Sequence, residues 1–190
     1  EAILNGSTPD DNSRRRVKDE LKAFDRWASE WATPRKLYSY RTELKVALRD
    51  LQGCVVLAGS IDALLQDEHG QFFLFDWKRS VQFGPQEYAH GRTGKGPASG
   101  VNATTWHKHS LQLMFYARML KQTANIDVGD RIYLVRFEKQ TYEVVHACTM
   151  KYLEHAVDRV ISRLVHNEPV VCSDEVGSGD DDDSAAAWGI

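Results

Sequence analysis

Apolar and polar positions change period several times along the chain, and each change marks an element. Val17, Leu21, Phe24, Ala28 and Trp31 recur at helical spacing. They predict a helix from Ser13 to Trp31 with one buried face. Pro34 ends it. From Leu37 the period becomes two. Tyr38, Tyr40, Thr42, Leu44, Val46 and Leu48 alternate with Ser39, Arg41, Glu43, Lys45, Ala47 and Arg49, as in a half-buried strand. Asp50 to Gly53 turn the chain into a second run, Cys54 to Leu65, more continuously apolar and therefore central in a sheet. Asp67-Glu68-His69-Gly70 is a hairpin turn into a third strand, Gln71 to Lys78. Three strands joined by turns this short form an antiparallel meander.

Periodicity then lapses. Arg79 to Thr105 carries Gly84, Gly91, Gly94, Gly96 and Gly100, two prolines and almost no acid. Loops of this length are uncommon and tend to be functional or disordered, and this one is expected to be the most mobile internal segment. A helix from Trp106 to Gln122 follows, then strands Arg131 to Glu138 and Thr141 to Cys148, then a helix from Lys151 to His166 whose Leu153, Val157, Val160, Ile161 and Leu164 share one face. The order α-β-β-β-α-β-β-α predicts an α/β fold with a mixed central sheet flanked by helices. Residues 1–13 are expected to be a flexible leader, 14–172 the folded domain, and 173–190 an acidic disordered tail or linker.

Charge modifies this picture in one respect. The net charge is −3, which is unusual for a protein that binds phosphates. The tail accounts for it: Asp174, Glu175 and Asp180 to Asp183 stand there without a basic residue, leaving 24 basic against 21 acidic residues in the body. A mildly basic body fits local contact with nucleic acid. Cys54, Cys148 and Cys172 are odd in number and form no CxxC. They argue against a disulfide framework, a zinc site or an iron–sulfur cluster, and for an intracellular protein. No apolar run suits a membrane span and no signal peptide is visible. The chain does not begin with Met and is read as a segment of a longer polypeptide, with other domains as partners.

The chemistry lies in the meander. Asp76 and Lys78 are two apart on a strand, so they share a face. Trp77 points the other way, into the core, while its carbonyl lies between the two side chains. Asp62 stands on the adjacent strand, where cross-strand neighbours come within about 5 Å. It interrupts an apolar run, where an acid costs burial energy unless it has a partner. Glu43, on the first strand, joins this face if the meander is in register. Carboxylates, a carbonyl and water make an oxygen-rich site for one or two Mg²⁺ or Mn²⁺ ions. Such ions would offset the negative field around Lys78. The lysine could then orient or deprotonate an attacking water, or neutralise charge building on a phosphate. Phosphodiester hydrolysis uses all of these parts.

Glu43, Gly59-Ser60-Ile61-Asp62, Asp76-Trp77-Lys78 and Gln112-Leu113-Met114-Phe115-Tyr116 together resemble the PD-(D/E)XK nuclease superfamily, and within it the RecB-like group, whose pattern is an upstream Glu or His, GxxD, DxK and QxxxY. The resemblance covers Leu37 to Lys121. It implies a restriction-endonuclease-like αβββαβ core. It further implies Asp62, Asp76 and the Trp77 carbonyl as metal ligands, Lys78 as the catalytic lysine, and Gln112 and Tyr116 as helpers near the site or the DNA. Many RecB-like enzymes carry a ligand histidine before GxxD. The first histidine here is His69, in the hairpin turn, so Glu43 would fill that role.

The expected function is therefore a metal-dependent deoxyribonuclease, with exo- and endonucleolytic action equally open. Arg79, Arg92, Lys95, Lys108 and His109 are candidates for contact with DNA, as is the run Arg14-Arg15-Arg16; solvated charge is the alternative for each. Two other readings use the same residues. One is a nucleic-acid-binding or interaction module that does not cut; the other is an RNA endonuclease of the cap-snatching type.

Overall fold

The structure is a computed structural model, and it describes residues 3–7, 10, 12, 17–79, 84–86, 89–147 and 150–166. The first helix, α1, spans Lys18–Trp27. The chain continues from it as a π turn, Ala28–Ala32, and a 3-10 turn, Thr33–Arg35. The wider π turn leaves Trp27 and Trp31 stacked, ring centroids 6.3 Å apart. Thr33 closes it by donating its hydroxyl to the Ala28 carbonyl, five residues back. Ser13 to Arg16, the predicted helix start with its arginine run, lie outside the described residues, as does the acidic tail. Part of the expected flexible leader is in contact with the body: Leu4 packs against the core and Thr42 Oγ1 donates to Asn5 Oδ1 at 2.9 Å.

The meander forms as its alternation dictates: β1 Tyr38–Arg49, β2 Val55–Gln66 and β3 Phe72–Lys78, paired antiparallel in sequence. Then comes α2, Thr105–Ala124, capped at its start by the Thr104 side chain, which accepts from His107 N, and ended by Asn125 in the left-handed region at φ 52. Strands β4 Ile132–Glu138 and β5 Thr141–His146 complete a sheet of order β1-β2-β3-β4-β5, and α3 covers Lys151–Val165. β4 pairs parallel to β3 and antiparallel to β5, so the sheet is mixed. Helix α2 is the crossover that a parallel pair requires.

Two cores sandwich the sheet. On one face Leu44, Val46, Leu48, Ile61, Leu64, Leu74, Ile132 and Leu134 meet α2 and α3. On the other, Ala63, Leu65, Phe75, Val135 and Phe137 meet α1 and the π turn. This second layer is largely aromatic; Trp27 contacts Phe75 at 5.5 Å and Trp77 at 5.1 Å, edge to face. Trp77 is thus a core residue, as its place on the strand predicts.

The glycine-rich stretch carries backbone bonds that its sequence does not announce. Within Arg79 to Thr105, residues 80–83, 87 and 88 lie outside the described residues, but 89–104 fold into a compact unit. Thr93 bridges Asn102, Gly94 N donates to Val101 O at 2.8 Å, and Ala103 N donates to Arg92 O at 2.9 Å. Val101 is buried in the α2 and α3 core. Arg159 of α3 donates twice to the Pro97 carbonyl, at 3.0 and 2.8 Å. A sequence without periodicity is here organised by glycine turns and by one arginine from a distant helix.

Candidate active site

The site forms where β2 and β3 part. Their ladder runs from Gln66↔Phe72 to Ala63↔Phe75 and goes no further. At the next position the Asp62 side chain takes over, its Oδ2 accepting from Trp77 N at 2.8 Å. The alternation of β2 also slips here. Gly59 and Ile61 face α2, whereas Ala63 and Leu65 face α1. On β1, Thr42↔Ala63 and Leu44↔Ile61 bracket Glu43 opposite Asp62. Glu43 has φ 47, a left-handed backbone inside a strand, which is uncommon for a non-glycine residue and costly. The left-handed residue of β1 and the slip in β2 thus fall together at the two acids.

Asp76 and Lys78 lie on the α2 face of β3, because Phe75 and Trp77 occupy the other. Asp76 is buried, 4 % exposed. Lys78 Nζ lies 2.5 Å from Asp76 Oδ2, an ion pair. The ammonium is the partner of this buried oxygen. Burial pushes the Asp76 carboxyl up to about 6; the Lys78 charge pulls against this and the Asp62 charge adds to it. Burial also raises Asp62, opposed by the Trp77 N–H and by Lys78, and reinforced by the charge of Glu43.

Two carboxylates that burial discourages from ionising, one of them facing a single lysine, form a donor set that suits a hard divalent cation. Asp62 and Asp76 would hold it, with a backbone carbonyl beside them. Glu43 is near but separately engaged: its Oε2 accepts from Ser60 Oγ at 3.2 Å. Among the described residues no three His, Cys, Asp or Glu side chains gather into one metal-binding group.

Gln112 and Tyr116 reach this region through a glycine. Tyr116 is buried against Gly59, so closely that a Cβ at 59 would overlap Tyr116 Cε1 and lie 2.9 Å from the hydroxyl oxygen. Gln112 Nε2 donates to that hydroxyl at 2.9 Å, from an exposed position one turn earlier. The first residue of Gly59-Ser60-Ile61-Asp62 thus admits the last residue of the helix pair.

The predicted nucleic-acid contacts are scattered. Arg79 pairs with Glu20 of α1 at 2.6 Å while remaining exposed. Arg92 and Lys95 are exposed on the folded loop, and Lys108 and His109 are half-buried in the first turns of α2. Sequence reasoning passed over two residues. Ser60 lies inside a motif but is read as a spacer. Arg136 breaks the apolar alternation Ile132, Leu134 of β4, and that break is the signal that could have found it.

The model of the PD-(D/E)XK nuclease superfamily matches residues 7–174. No curated protein is significantly similar to the chain. Among solved structures, that of SSO0001 aligns with a TM-score of 0.40 and 12 % identity, over 82 % of this chain and 60 % of that one. Among the described residues no helix is long and apolar enough to cross a membrane.

Proposed function

Because the chain belongs to the PD-(D/E)XK nuclease superfamily, whose members are metal-dependent nucleases, we propose that it hydrolyses phosphodiester bonds in DNA, in the manner of the RecB-like group. The five-stranded mixed sheet flanked by helices is the restriction-endonuclease-like fold of that superfamily. The observation that carries the reading is the buried Asp76 carboxylate paired with Lys78, one strand from Asp62.

In this reading Asp62, Asp76 and the Trp77 carbonyl hold one or two Mg²⁺ or Mn²⁺ ions, and Glu43 completes the set from β1. When bound, the metal polarises the phosphate and acidifies the water that attacks it. The chain's own residues do the rest. Lys78, the partner of Asp76 in the free protein, would orient the water and offset charge accumulating on the phosphate oxygens. Asp62 keeps the mouth of the β2–β3 split fixed through its bond to Trp77 N. Tyr116, seated on Gly59, holds Gln112 at the rim, where its amide can meet the substrate. Arg79, Arg92, Lys95, Lys108 and His109 contribute charge along the approach.

End-labelled linear and covalently closed circular DNA, incubated with Mn²⁺, test this directly. The wild type cuts, and Asp76→Ala and Lys78→Ala do not. Cleavage surviving in both variants sinks the site assignment. DNA bound tightly yet left intact in Mg²⁺, Mn²⁺ and Ca²⁺ would establish the non-cutting module instead, and RNA cleaved in preference to DNA the cap-snatching type.

A further inference from the structure

Arg136 lies on the strand next to Lys78 and has no role in the reaction above. In the parallel pairing of β3 with β4 it is the register partner of Lys78, as Leu134 is of Asp76. Tyr133, Val135 and Phe137 face α1, so Arg136 shares the face of Asp76 and Lys78. Adjacent strands lie about 4.8 Å apart, which brings a long arginine stem within reach of the space over the lysine. This is the carboxyl end of the only parallel strand pair among the described residues, the end at which open α/β sheets receive ligands.

The guanidinium is held, but unequally. Glu143, directly across on β5, accepts from Nε at 3.1 Å and Nη2 at 2.8 Å, and keeps the fork oriented. Glu138, the last residue of β4, accepts one bond from Nη1 at 2.5 Å. Arg136 is 16 % exposed, whereas Glu143 is 46 % and Glu138 60 % exposed. Contacts to carboxylates this exposed are weak and readily exchanged. Of the five N–H groups on the fork, three are used. A planar fork with free donors is the group best shaped for a phosphate.

We infer that Arg136 binds a phosphate of the nucleic acid next to the scissile one, and that Glu138 is the carboxylate it gives up in doing so. The inference rests on the nuclease reading. In the free protein Glu138 occupies the place the phosphate takes, and its charge repels a polyanion until Arg136 changes partner. Glu143 stays bound throughout and is a positioning residue. The substrate is thereby gripped on both flanks of the metal ligands, by Gln112 on the α2 side and by Arg136 on the β4 side.

Binding of a fluorescein-labelled DNA oligonucleotide in Ca²⁺, followed by anisotropy over a salt series, tests the inference; cleavage in Mn²⁺ is followed in parallel. Arg136→Gln should bind about tenfold more weakly. Its plot of log affinity against log salt should be shallower by about 0.7 to 0.9, one phosphate contact. Arg136→Lys should keep the wild-type slope with intermediate affinity. Glu138→Gln should bind more tightly than wild type, and the gain should vanish when Arg136→Gln is added. Wild-type affinity and slope in Arg136→Gln, or weaker binding by Glu138→Gln, overturns the assignment while the nuclease reading stands. If Arg136→Gln does not fold, Arg136→Lys and the exposed Glu138→Gln decide. A wild type that neither binds nor cuts removes the nuclease reading, and this inference with it.

Discussion

Replacing Asp76 by Asn should stabilise the metal-free protein at neutral pH while abolishing cleavage. The carboxylate is almost wholly buried, and its pKa stands at about 6 against an ordinary 3.8. That difference, at about 1.4 kcal/mol per pH unit, is about 3 kcal/mol. The sign follows from linkage. The native state binds the proton more tightly than the unfolded chain does, so the stability associated with this group is complete below pH 3.8 and is lost as pH rises towards 6. Asparagine has no proton to lose and escapes the penalty. About 3 kcal/mol is a ceiling, because the variant also forfeits the ion pair with Lys78. Urea denaturation in EDTA reads the difference. The advantage of Asp76→Asn should be absent near pH 4, grow to about pH 6 and level off above it. Mn²⁺ should then close the gap by stabilising the wild type alone, by about 2.7 kcal/mol at a hundredfold excess over Kd. A variant no more stable than wild type at any pH, or a difference that does not change with pH, would refute the reasoning that burial burdens this carboxylate.

Three further outcomes follow from the geometry. Gly59→Ala should displace Tyr116 and break its bond with Gln112, lowering stability by about 1–3 kcal/mol and cleavage with it. The double variant Gly59→Ala/Tyr116→Ala should recover part of the stability and none of the activity, and a fully active Gly59→Ala enzyme would contradict this. Glu43→Gly should relieve the left-handed backbone and stabilise the fold by about 1 kcal/mol while reducing metal affinity in a titration; unchanged metal affinity removes Glu43 from the ligand set. The amides of Gly94 and Ala103, bonded to Val101 O and Arg92 O, should exchange slowly with deuterium in the free protein, and exchange at unprotected rates would return the segment to a mobile loop.

What the sequence discloses depends on how local the cause is. The β1–β2–β3 meander is legible because its alternation and its short turns are adjacent in the chain. The shared face of Asp76 and Lys78 follows from the strand period alone. The parallel union of β3 with β4 is less accessible, since it joins Lys78 to Arg136 across the whole of α2. Arg136 therefore looks like an ordinary strand cation until its neighbours are known. The folded segment 89–104 is hidden for another reason. Its order comes from glycine turns, a few backbone bonds and Arg159 of α3 holding Pro97, none of which leaves a periodic trace. The π turn after α1 is likewise invisible, because Ala28 and Trp31 fit an α-helical stripe; only the stacking of Trp27 on Trp31 distinguishes the wider winding.

Asp62 joins these levels. In the sequence it is an acid spoiling an apolar run, and burial alone would count against it. In the fold it stands one residue past the last β2–β3 pair, where Trp77 N has lost its strand partner, and its Oδ2 satisfies that donor. The acid thus closes the backbone account at the point where the sheet opens. Asp62 and Asp76 therefore stand just past the last pair of the ladder instead of pairing across it. A residue that only ended the strand could be Ser or Asn, and one that only bound a cation could stand on any loop. The left-handed backbone of Glu43, the slip of alternation in β2 and the close seat of Tyr116 on Gly59 all fall within a few residues of this point. The left-handed backbone of Glu43 lies where the proposed chemistry is, while an aromatic layer packs beneath Trp77 on the other face of the sheet.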